Sequence, residues 1–120
     1  MSTACRPKPN IPTGHLDYMK RNIYKAMHQI QDVSCIRFVT RTNQEDYIEI
    51  KAEQGCASEV GRQRGRQVVS LDGPFCMGNG VIVHELNHAI GFWHEQNRPD
   101  RDNYVIVIFE NIKPGTSLIY

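Results

Sequence analysis

The stretch HELNHAIGFWH, residues 84–94, limits what this chain can fold into more than any other feature. His84 and His88 are four residues apart, a spacing that stacks two side chains on one face of an α-helix. Two imidazoles so placed can share one metal ion about 2 Å from each nitrogen. Glu85 lies beside them, off the ligand axis, where a carboxylate meets a metal-activated water rather than the metal. Gly91 is a natural helix terminator, because glycine accepts a left-handed backbone. A turn there brings His94 back toward the same ion. The spacing therefore predicts a helix of about three turns over VIVHELNHAI, then a sharp exit and a return.

By itself HExxH fixes three letters in five and recurs by chance. HExxHxxGxxH fixes five positions and matches the metzincin pattern. Three protein ligands leave one position open for water, which suits a catalytic site rather than a closed structural one. The plainer alternative has His84 and His88 as packed helix residues and His94 on the surface. The extended motif outweighs it.

A chain of 120 residues fits one domain or part of a larger one. Its 40% hydrophobic content can build a modest core, and 22% charged residues with a net charge of +1 make no case for nucleic acid or a membrane surface. No apolar run is long enough to span a bilayer. The opening MSTACRPKPNIP has no apolar centre, so it is no signal peptide; a signal was removed, or the sequence is a piece. Cys5, Cys35, Cys56 and Cys76 allow three pairings, and their spacing fits no compact zinc knuckle. They are expected to be disulfide partners in a secreted, extracellular protein, the alternative being free thiols in the cytosol. No Asn-x-Ser/Thr site supports secretion independently.

Residues 1–15, with Pro7, Pro9, Pro12 and Gly14, form an expected extended segment, and 16–120 the domain. Leu16, Met19, Ile23, Ala26, Met27 and Ile30 recur at helical period and predict an amphipathic surface helix over about 16–32. CIRFVTR and YIEIKAE alternate as strands do. An irregular or edge strand is expected around 57–60, another strand at QVVSL, and a last one at NYVIVIFENI. Arg62, Arg64 and Arg66 lack interleaved aromatics and suit a solvated loop better than a nucleic-acid contact.

HELNHAIGFWHEQNRPDRDNYV resembles the extended zinc signature of the astacin family of secreted zinc metalloendopeptidases. CIRFVTRTNQEDYIEI, GCASEVGRQRGRQVVSL and NIKPG are similar to that family in order and spacing. The likeness runs over about 11–115 and is densest over 84–105. It implies an α+β, zincin-like N-terminal subdomain: a twisted mixed sheet, a surface helix and a zinc-site helix. It implies one zinc ion held by His84, His88 and His94, with Glu85 as general base and proton shuttle for a metal-activated water. It implies a Cys56–Cys76 disulfide, and a partner for Cys35 near the C-terminus of the full domain. Glu95 matches the glutamate that meets the processed N-terminus. The substrate would be a peptide or protein, extended along an edge strand over 56–62.

The sequence also departs from the family. An early strand that follows the isoleucine-proline pair is expected to be shortened or lost, because NIPTGHLDYMKRN runs almost directly into the helix. The family's C-terminal subdomain, with its methionine turn and its tyrosine near the metal, is expected to be missing, so Tyr120 is given no role. A propeptide and that C-terminal half are the implied protein partners. Three functions compete on this basis. One is a zinc endopeptidase. Another is a truncated, catalytically weak or inactive zinc-binding domain that binds a peptide or a protein partner. The last is a small disulfide-held structural domain whose histidines are incidental.

Overall fold

The structure is a computed structural model that describes residues 3–5 and 13–114, with the backbone alone for 3–5 and 13–16. In chain order the elements are β1 (Thr3–Cys5), α1 (Thr13–Asp32), β2 (Phe38–Thr40), β3 (Tyr47–Lys51), β4 (Cys56–Ser58), β5 (Arg66–Leu71) and α2 (Asn79–Ile90). A short 3-10 turn at Pro74–Met77 precedes α2, and others follow it at Glu95–Asn97, Arg101–Asn103 and Phe109–Asn111.

The strands form one mixed sheet in the order β2-β1-β3-β5-β4. β1 runs parallel to β2 and β3, and β3 parallel to β5. Only β4 is antiparallel to its neighbour, with Cys56 opposite Leu71 and Ser58 opposite Val69. β5 is buried over most of its length, from Gln67 to Leu71 apart from the half-buried Val68, where α2 packs against it. β4 ends the sheet, so one of its edges is unpaired among the described residues.

The core joins Ala26, Met27 and Ile30 of α1, Ile48 of β3, Val69 and Leu71 of β5, and Ile82 and Leu86 of α2. The α1 residues are the ones whose helical period predicts an inward face. The two helices pack on each other, and α2 lies against β4 and β5. A disulfide from Cys56 to Cys76 ties the first residue of β4 to the turn just before α2.

This is the α+β subdomain expected, with three local differences. The helix α1 starts at Thr13 rather than near residue 16. A short strand forms at Thr3–Cys5, inside the expected extended segment, while α1 begins directly after the isoleucine-proline pair with no strand between, as expected. The strand expected over NYVIVIFENI is not formed. Between the 3-10 turns at Arg101–Asn103 and Phe109–Asn111 the chain has no regular structure, and Val105, Ile106 and Ile108 are exposed. β-Branched residues favour a strand only where a neighbouring strand completes the ladder, and no described strand lies beside these. Residues 6–12 of the expected extended segment, and any pairing of Cys5, lie outside the described residues, as does Tyr120. Cys35 is free and exposed.

Candidate metal centre

The centre is built on the last two turns of α2. VIVHELNHAI forms a helix whose Ile82 and Leu86 are sealed into the core, which aims His84 and His88 away from it along one face. The helix stops at Gly91, whose φ of 122° is open to glycine and strained for other residues. Its N–H donates to the carbonyls of Asn87 (3.1 Å) and His88 (2.9 Å), closing the helix end. The chain then reverses, and His94 returns.

The three imidazoles converge. His88 Nε2 lies 2.9 Å from His84 Nε2 and 3.1 Å from His94 Nε2, and the remaining pair is 3.2 Å apart. His88 is buried, His94 half-buried and His84 exposed, so the cluster opens to solvent on one side. His88 Nδ1 sits 2.8 Å from the Phe92 carbonyl, an acceptor only, so Nδ1 carries the proton and donates. In the neutral ring that leaves the Nε2 lone pair aimed at the other two histidines.

Three ring nitrogens this close cannot satisfy one another, because each neutral ring has one donor at most and the inward atoms compete as acceptors. A cation at their centre resolves the conflict. Tetrahedral zinc with bonds of about 2.0–2.1 Å separates its ligand nitrogens by roughly 3.3 Å, close to the spacing found. His84, His88 and His94 thus form a group able to hold a metal ion, and an all-imidazole donor set suits zinc.

Glu85 is 6% exposed on the same turn of α2. Its carboxylate makes no hydrogen bond or ion pair with another described residue. Glu95 points elsewhere: Arg98 donates to it (2.5 Å) and also grips Asp100 through two nitrogens.

Residues that motif reasoning does not reach support the helix end from outside. The Gly61 N–H donates to the His88 carbonyl at 2.8 Å. Gly61 is itself left-handed (φ 77°), and a Cβ on it would touch the Cα of Gly91, so the two backbones run in contact. The glycine-rich composition of the β4–β5 connection hints at such an approach. It does not say which glycine meets which element.

A family model described as Astacin, a peptidase family, matches residues 10–118. High choriolytic enzyme 1 of Oryzias latipes is 50% identical over 92 residues, spanning 77% of this chain and 34% of that protein. Zinc metalloproteinase nas-5 of Caenorhabditis elegans is 43% identical over 113 residues, spanning 89% of this chain and 31% of that protein. The chain thus spans about a third of the length of these relatives. The solved structure of the Oryzias enzyme, a hatching enzyme zinc-protease, superposes with a TM-score of 0.81 at 41% identity, covering 98% of this chain and 56% of that one.

Proposed function

The chain belongs to the astacin family of peptidases, and from that membership we propose that it acts as a zinc metalloendopeptidase, with His84, His88 and His94 holding one zinc ion and Glu85 as general base. The observation that carries this is the convergence of three Nε2 atoms within 3.2 Å of one another beside a buried glutamate.

When bound, zinc supplies a Lewis-acid charge that acidifies water and polarises a carbonyl. The remaining work falls to the chain. His88 is held in one tautomer by the Phe92 carbonyl, so its Nε2 stays available as a ligand. Glu85 follows His84 by one residue and is turned by about 100° around the helix, beside the ligands rather than among them. Its carboxylate has no other described partner, so it is free to take a proton from the attacking water and pass it to the departing amine. β4 offers an open edge along which an extended peptide can add as a further strand, its backbone groups pairing with those of residues 56–58. The substrate is accordingly a peptide or protein. The Cys56–Cys76 disulfide supports an extracellular setting.

The test is a zinc titration and a quenched-peptide cleavage assay on the same oxidised samples. The wild type is expected to take up one equivalent of zinc and to cleave. His88→Ala loses the zinc. Glu85→Gln keeps the zinc and loses cleavage by about a hundredfold or more. No zinc in a folded wild-type sample would sink the proposal. Zinc without cleavage would leave a metal-binding domain that engages peptide or a protein partner without turnover.

A further inference from the structure

Gln67 is the second residue of β5, and its side chain is 6% exposed. A buried primary amide must have its hydrogen bonds met within the protein. Its nitrogen donates to the carbonyls of Glu59 (3.1 Å) and Gly61 (3.0 Å), and its oxygen accepts from the Gln63 N–H (3.0 Å). One side chain thus gathers three backbone groups of the loop that joins β4 to β5.

The same loop is bonded to the metal helix through Gly61. The Gly61 N–H reaches the carbonyl of His88, which also accepts from Gly91. From there the chain passes to Phe92, whose carbonyl orients the His88 ring, and on to His94. A continuous set of bonds therefore runs from the sheet through Gln67 and Gly61 to the backbone of one metal-binding candidate and the exit toward another.

We infer that Gln67 is a positioning residue for the metal centre: its buried amide clamps the 59–63 loop so that Gly61 fixes the end of α2, and with it the His88 ring and the return of His94. The inference rests on the proposed three-histidine zinc site. Without the amide the loop loses its three anchors. The Gly61 N–H withdraws from His88, and the last turn of α2 keeps its own Gly91 and Phe92 bonds but loses its tie to the loop. Groups that orient metal ligands in this way typically contribute ten- to hundredfold to metal affinity.

Ser70, three residues along the same strand, provides a matched control. It is buried as well, and its hydroxyl also serves three backbone groups, Glu53 N–H, Gln54 N–H and the Gly55 carbonyl. These belong to the turn between β3 and β4, away from the histidines. The experiment compares wild type, Gln67→Leu and Ser70→Ala for thermal midpoint, zinc affinity and the visible spectrum of the cobalt(II)-loaded chain. Both variants are expected to melt earlier. Only Gln67→Leu is expected to bind zinc more weakly, by about tenfold or more, and to alter the cobalt bands.

Equal zinc affinity and an unchanged cobalt spectrum in Gln67→Leu, beside a wild type that binds zinc, would overturn the inference and leave the proposed function standing. Equal losses in both variants would also overturn it, since general destabilisation then suffices. A wild type that takes up no zinc would instead remove the function on which the inference rests. Should Gln67→Leu fail to fold by circular dichroism, the wild type carries the test through its Gly61 amide. That proton is expected to exchange slowly, and its resonance to shift when zinc is added. Fast exchange with no shift would overturn the inference.

Discussion

At the scale of single residues, the positions that matter most are backbone contacts disguised as side-chain choices. Gly91 lets α2 stop, and Gly61 brings a second backbone against it. Asp46 plays a similar part at the other end of the same loop. Its carboxylate accepts from the Gly65 N–H (2.6 Å) and from Arg62. The Gly65 bond first and Arg62 second hold the Asp46 carboxyl below the usual carboxylate range. A group with a depressed pKa in the folded state adds stability above its unfolded pKa and loses it as pH falls through the folded value. Wild type is therefore expected to be more stable than Asp46→Asn at neutral pH, with the gap closing below about pH 4. Urea midpoints at several pH values check this, and a gap that is constant with pH would contradict it.

At the scale of elements, β4 is, like β2, an end strand three residues long and paired on one side, and it is followed by a glycine-rich loop. Besides its pairing with β5, it is held by the Cys56–Cys76 disulfide, which spans 20 residues and pins the strand to the turn before α2. Closing a loop of that size contributes about 3 kcal/mol, chiefly by restricting the unfolded chain. The double variant Cys56→Ser/Cys76→Ser is expected to lose about that much in a urea titration, as is wild type treated with reductant. An unchanged midpoint in both would show that the sheet and α2 hold the strand without it. The segment after Asn103 makes the opposite point. NYVIVIFENI has strand composition, yet the described residues offer it no ladder, and it stays irregular with its aliphatic side chains exposed.

At the scale of the whole molecule, the candidate metal site joins the end of α2 to a segment that lies outside it. His94 is brought to His84 and His88 by a turn outside α2, and the segment beyond it carries exposed Tyr104, Ile106 and Phe109 rather than core residues. Apolar burial therefore secures the His94 side weakly, and an ion held there would become part of the stability. Zinc at a thousandfold over its dissociation constant is expected to add about 4 kcal/mol. The melting temperature should rise with added zinc and fall on chelation. A zinc-loaded sample whose melting temperature ignores the chelator would show that the site is not coupled to folding.

Much of this protein is legible in its residues because the chemistry is local. The i, i+4 histidines and Gly91 define a helix and its end, and helical period marks Ala26, Met27 and Ile30 as the inner face of α1. Alternation places β3, and the spacing of the extended motif is enough to gather His84, His88 and His94. Tertiary structure alone decided the contacts between segments distant in the chain. It put Thr3–Cys5 between β2 and β3, left residues 105–108 without a strand partner among the described residues, and set Gly61 against Gly91. It also made Gln67, a polar letter in a strand, the clamp of the loop beside α2. Periodicity and spacing report forces along a few turns of chain. Hydrogen bonds across tens of residues depend on where the whole fold carries each backbone.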